Sequence, residues 1–172
     1  NVIDPMVELI TNTYEGKNIG LIGTKRTVQS DIYSRKIKEA NKGIVLHSLA
    51  TPLLAPMIEE GFFNNQISHE IISQYLNDPA LKNIDALVLA CTHYPLIKKE
   101  ISTFLGGYVD VLDSAIVVAK ALEAYLEENS LLNSFGEPDH QFFVSDYTEA
   151  FEASTRLFFN EKVSLNRHPL WN

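Results

Sequence analysis

Ala86-Leu-Val-Leu-Ala-Cys-Thr-His-Tyr-Pro-Leu96 decides how this chain is read. Ala86 to Ala90 is an uninterrupted apolar run, the pattern of a strand buried on both faces of a sheet. The run stops at Cys91, Thr92 and His93, and Pro95 suits the first turn of a following helix, where its missing N–H costs nothing. The only cysteine of the chain therefore lies where a buried strand ends and a helix begins, the edge at which open parallel sheets bind ligands. A thiol near a helix N-terminus meets a partial positive charge, so the thiolate is expected to be favoured. His93 is placed to tune that thiol or to pass protons. A lone cysteine is ordinarily a small buried hydrophobe, but polar and reactive residues in a row after a buried strand point to a site. Cys91 and His93 are too few ligands for a closed zinc site, and His47, His69, His140 and His168 have no ligand spacing with them, so no metal is expected.

Strands and helices alternate outward from this stretch. A short helix follows Pro5, with Met6, Leu9 and Ile10 apolar, and Ile19–Ile22 is a strand ending at Gly23-Thr24. Val28, Ile32, Ile37 and Ala40 then form one stripe, which predicts a single helix stopped by Asn41-Lys-Gly43. Ile44–Leu49 reads as a strand, Pro52 as the opening of a helix towards Glu60, and Ile67–Leu76 as another helix. After the central strand come a helix over Pro95–Phe104, a strand over Tyr108–Leu112, and a helix capped by Asp113 or Ser114 that reaches Tyr125. Residues 129–138 read as a polar loop, Gln141–Val144 as a strand and Thr148–Phe159 as a helix. The alternation predicts an α/β fold, a largely parallel, doubly wound sheet with helices on both faces.

Several strands end in a small residue or aspartate followed by a hydroxyl: Gly23-Thr24, Ala50-Thr51, Cys91-Thr92 and Asp113-Ser114. In a parallel sheet these ends share one edge, where helix N-termini also point, an arrangement suited to a small carboxylate. The same hydroxyls also serve as helix caps. Gly20-Leu-Ile-Gly-Thr-Lys has one glycine too few, and the wrong spacing, for a dinucleotide or phosphate loop. Lys25-Arg26 reads as a solvated helix face, and Glu59-Glu60 as a surface pair of which one carboxylate can reach the crevice. The helix from Ala115 has a broad apolar face that calls for a further layer of protein.

Composition narrows the class. The chain has 172 residues, 45% of them hydrophobic and 21% charged, as in a globular protein. A net charge of −8 argues against nucleic acid or an anionic membrane as partner. One cysteine rules out an internal disulfide and is consistent with a reducing cytoplasm. No apolar run reaches transmembrane length. A start at Asn1, without methionine and close to the first strand, suggests a fragment or a processed product.

Leu89-Ala-Cys-Thr-His-Tyr-Pro-Leu96 closely resembles the second cysteine motif of glutamate racemases, and Ile22-Gly-Thr-Lys-Arg-Thr27, Pro56-Met-Ile-Glu-Glu-Gly61 and Asp113-Ser-Ala115 follow the family's order. The resemblance implies a cofactor-independent isomerase of the aspartate/glutamate racemase superfamily, interconverting L- and D-glutamate for peptidoglycan synthesis with one cysteine from each of two α/β domains. It makes Cys91 the second catalytic cysteine, His93 its assistant and a substrate contact, Thr92 a substrate ligand, Glu59 a support for proton transfer, and Thr24 and Thr27 part of the cleft. It places residues 1–112 in the second domain and 113–172 in the other, whose core is missing together with the family's Cys-Asn-Thr motif. The 172-residue chain alone is then expected to be inactive, to need the missing N-terminal half, and, as family members often do, to form a homodimer. Two departures from the family pattern are Thr51, where many members have another cysteine, and Ser145-Asp146, which lacks the usual glycine. The competing readings are an aspartate or hydantoin racemase of the same superfamily, a thiol hydrolase using a Cys–His pair, and a non-catalytic ligand-binding domain.

Overall fold

Four parallel strands, β1 (Asn18–Gly23), β2 (Val45–Ala50), β3 (Ala86–Ala90) and β4 (Asp110–Asp113), form one sheet in the order β2-β1-β3-β4. The computed structural model describes residues 1–133, 136, 140–159, 161 and 163–170. The sheet belongs to a compact unit spanning Asn1–Leu131; a second unit spans Leu132–Asn172. β1 and β3 are the inner strands, and both are apolar almost throughout because both of their faces are covered.

Alternation along the strands sorts their side chains into two layers. Ala86 and Val88 of β3, with Ile19 and Leu21 of β1, pack with Met6 and Ile10 of α1 (Asp4–Thr13) and with Tyr33 and Ile37 of α3 (Ile32–Glu39). Leu87 and Leu89, with Ile22, face Leu54, Met57 and Ile58 of α4 (Leu54–Glu59), Ile72 and Leu76 of α5 (Gln66–Leu76) and Ile101 of α6 (Lys98–Phe104). Helices thus cover both faces, as expected. Each fully buried Leu or Ile contributes on the order of 1.5–3 kcal/mol, so β3 carries a large share of the core.

The stripe from Val28 to Ala40 is not one helix. It is split into α2 (Lys25–Gln29) and α3, because Asp31 adopts φ 53°, in the left-handed region. The Ser30 hydroxyl donates to the Thr27 carbonyl at 2.7 Å, drawing the backbone off the helical path. Val28 and Ile32 still pack on the same core layer, which is why periodicity alone does not reveal the break. Pro52 lies before α4 rather than in its first turn, and Pro95 falls in a 3-10 turn over Tyr94–Ile97 that precedes α6.

Asp113 both ends β4 and caps α7 (Ser114–Glu128), its carboxylate accepting from the Ala115 amide at 2.9 Å. No residue of α7 is buried, and Ile116, Leu122 and Tyr125 are each at least half exposed. The unit Leu132–Asn172 holds β5 (Phe142–Val144), α8 (Glu149–Phe159) and β6 (Leu165–Arg167), the last not anticipated from the sequence; β5 and β6 pair in parallel. Residues 134, 135, 137 and 138 of the expected polar loop lie outside the described residues. Among the described residues no helix is long and apolar enough to cross a membrane.

Candidate active site

From β1 the chain crosses to β2 on one side and then returns to β3 on the other, so the strand order reverses between β1 and β3. Ligands of open α/β sheets bind outside the carboxyl ends of the strands at such a point. Gly23 and Ala90 are register partners there, and the next residues are Thr24 and Cys91. A side chain at Gly23 would stand 3.3 Å from the Ala90 carbonyl and 3.4 Å from Thr27, so glycine permits the close approach of this corner.

A crevice of about 430 Å³ opens at this edge, lined in part by Thr27, Ala90, Cys91, Thr92, Ser114 and Ala115. That volume falls within the range of about 300–1,000 Å³ usual for small-molecule sites. His93 lies beside the thiol, with Nδ1 3.7 Å from Cys91 Sγ. Its other nitrogen, Nε2, is 2.9 Å from Glu59 Oε1 at the end of α4. The three residues form a line from the crevice outward: half-buried Cys91, then His93, then exposed Glu59. With Nε2–H donating to the carboxylate, a neutral imidazole keeps its lone pair on Nδ1, facing the thiol.

Burial pushes the Cys91 thiol above its ordinary value; the backbone amides of His93 and Tyr94 oppose this, the Glu59 charge adds to it, and the net shift is upward. The expectation of a favoured thiolate is therefore corrected. Only a single 3-10 turn follows Cys91, and the few amides it offers do not offset the desolvation.

The hydroxyls at the sheet edge have separate tasks. Thr24 caps α2, accepting from the Thr27 amide at 3.2 Å, and the two threonine hydroxyl oxygens are 3.0 Å apart. Ser114 donates to the Leu89 carbonyl at 2.9 Å. Thr92 is exposed at the crevice. Thr51 is fully buried and bonded to Tyr94, so it is not available to a ligand. The sequence brought no attention to Tyr94, whose buried hydroxyl only the packing reveals.

A glutamate racemase of Caldanaerobacter subterraneus is 33% identical over 165 residues, 95% of this chain and 61% of that protein. The crystal structure of a glutamate racemase from Francisella tularensis, in complex with D-glutamate, matches 99% of this chain with a TM-score of 0.87 and 33% identity. Over nearly its whole length the chain is similar to glutamate racemases. A glutamate racemase isoform of Bacillus anthracis superimposes on this chain with a TM-score of 0.89 at 30% identity over 98% of the chain. No family model matches the chain. The chain spans about 60% of the length of the relatives it matches: 61% of the Caldanaerobacter protein, and 62% and 64% of the two solved racemases.

Of the residues expected from the motif, Cys91, Thr92 and Thr27 line one crevice, His93 stands beside Cys91, and Glu59 pairs with His93 on its far side. Thr24 adjoins through Thr27.

Proposed function

We propose that this chain is the part of a glutamate racemase that carries the second of its two cysteines, in a cofactor-independent enzyme that interconverts L- and D-glutamate for peptidoglycan synthesis. The observation that carries this reading is the line Cys91–His93–Glu59 at the crevice where the strand order reverses. Inverting an α-carbon takes one group to remove the proton and a second to deliver another on the opposite face. Cys91 borders the crevice and serves one face. The neutral His93 ring accepts the thiol proton at Nδ1, and Glu59 holds the tautomer and stabilises the imidazolium that forms. A thiol with a raised pKa gives a more basic thiolate, which suits a carbon acid as weak as an amino-acid α-proton.

Thr92, His93 and Thr27 border or adjoin the substrate in this reading, with Thr24 supporting Thr27. The group for the other face comes from outside this sequence, whose only cysteine is Cys91. Residues 1–112 then form the second domain of the complete enzyme, and 113–172 belong to the other, completed by an N-terminal half. The half-exposed Ile116, Leu122 and Tyr125 support that division, as do Phe143, Phe151 and Leu170 at 58%, 50% and 65% exposure. The complete enzyme is a cytoplasmic homodimer in this proposal.

The test supplies the N-terminal half, either as the natural upstream coding sequence or as the corresponding half of a relative. The 172-residue chain alone gives no racemisation and the completed protein does. In the completed protein Cys91→Ala lowers racemisation by at least about 10²-fold. In heavy water it still exchanges the α-proton of one enantiomer without inverting it, as read by NMR. Near-normal racemisation by that variant sinks the assignment.

A further inference from the structure

We propose that the buried hydroxyl pair Tyr94–Thr51 is a positioning lock: it ties the turn bearing Cys91 and His93 to the ends of β1 and β2. Tyr94 and Thr51 are both fully buried, and their hydroxyl oxygens are 2.7 Å apart. The Tyr94 hydroxyl also donates to the Thr51 carbonyl at 3.1 Å. Thr51 in turn is bound to the end of β1, its amide donating to the Gly23 carbonyl at 2.9 Å and its hydroxyl lying 3.3 Å from the same oxygen. Gly23 precedes Thr24, Thr51 follows the end of β2, and Tyr94 follows His93, so one network spans three strand ends at the crevice.

The turn depends on this tie. Its 3-10 segment has no side-chain cap, and the turn is closed locally by the Tyr94 amide donating to the Cys91 carbonyl at 3.2 Å. A ring of tyrosine size fills the core equally well as phenylalanine, whereas a buried hydroxyl carries a desolvation cost that only its hydrogen bonds offset. Those bonds are long-range and specific, which is the signature of a fixed geometry rather than of filling. What they fix is the approach of the His93 and Tyr94 amides to the Cys91 sulfur, the interaction that opposes burial. The titratable groups facing Cys91 are His93 from its own turn, Glu59 from α4 and Tyr94. Released from Thr51, the turn loses the aim of its amides, and the thiol is left with the upward pull of burial and Glu59.

This role deepens the reading of Cys91 as a proton carrier and rests on it for its catalytic meaning. The chain holds one cysteine, so alkylation by iodoacetamide, followed by mass spectrometry across the thiol's titration range, reports Cys91 alone. In the 172-residue chain, Tyr94→Phe and Thr51→Val both move the midpoint upward by about half to one pH unit, a three- to tenfold loss of thiolate at neutral pH. The double variant moves it no further than either single one, because both remove the same connection. Thr51→Ser restores the original midpoint. Looser packing alone raises the plateau rate and leaves the midpoint in place, and that result overturns the lock. An unmoved or lowered midpoint in folded Tyr94→Phe and Thr51→Val overturns it equally, and if Tyr94→Phe does not fold, Thr51→Val decides. Loss of the lock in this assay leaves the racemase reading intact. Failure of the completed protein to racemise removes that reading and leaves the thiol measurement standing.

Discussion

Glu100 offers the sharpest test of how the helices that carry the site are held. Its side chain is 5% exposed, in α6, and accepts from the Asn64 amide at 2.6 Å, from the Ser68 hydroxyl at 2.9 Å and from His69 Nε2 at 3.2 Å. It thereby fixes the loop between α4, which ends in Glu59, and α5; Asn64 in that loop has φ 58°, in the left-handed region. Glu100→Ala removes all three acceptor contacts. The amide bond to a charged acceptor is worth about 1.5–3 kcal/mol. The Ser68 contribution is nearer 1 kcal/mol, because that hydroxyl has the Asn65 carbonyl at 2.9 Å as an alternative acceptor. His69 is 63% exposed, and its pairing is worth about 0–1 kcal/mol after solvent screening. The sum is about 2.5–5 kcal/mol, centred near 4 kcal/mol. Glu100→Gln keeps one acceptor oxygen and costs about 1 kcal/mol, and His69→Ala costs less than that. Urea unfolding followed by circular dichroism measures all three; with m near about 2 kcal/mol/M, the midpoint of Glu100→Ala falls by roughly 2 M. A loss below about 0.5 kcal/mol for Glu100→Ala, or equal losses for the alanine and glutamine variants, refutes the reasoning that these hydrogen bonds hold the loop.

Glu59→Gln removes a charge that raises the Cys91 thiol, so the alkylation midpoint moves down, opposite in sign to the variants of the buried lock; an upward shift contradicts the electrostatic assignment. Burial pushes the Tyr94 phenol up to about 12 from an ordinary 10.0, so the folded state holds that proton where the unfolded chain releases it. The associated stability is fully present below about pH 10 and is lost as pH rises towards about 12, a change on the order of 2–3 kcal/mol that Tyr94→Phe abolishes in urea midpoints measured across that range. Asp113→Ala removes the cap of α7 at 2.9 Å from the Ala115 amide and lowers stability by about 1 kcal/mol, whereas Asp113→Asn loses only a few tenths in the same urea assay.

The sequence by itself determined the four strands of the main sheet, the order of most helices and the sheet edge at which the candidate site lies. A strand buried on both faces must be apolar at successive positions, and Ala86–Ala90 announces that directly. The residue types that follow, cysteine, threonine and histidine, mark the carboxyl edge, and that short segment carries the resemblance to glutamate racemases. Periodicity failed where a local hydrogen bond overrides it, as at Ser30-Asp31, and where an element is as short as β6. The tertiary structure alone decided the partners. Glu59 meets His93 because α4 packs against the turn at Tyr94–Ile97, and Thr51 meets Tyr94 across 43 residues of chain because β2 and β3 end at the same edge on either side of β1. It also decided the sign of the Cys91 shift. Sequence shows a thiol before a helical turn, but the balance between desolvation and a few amides depends on how deeply the fold buries that sulfur, a property of packing that no spacing of residues encodes.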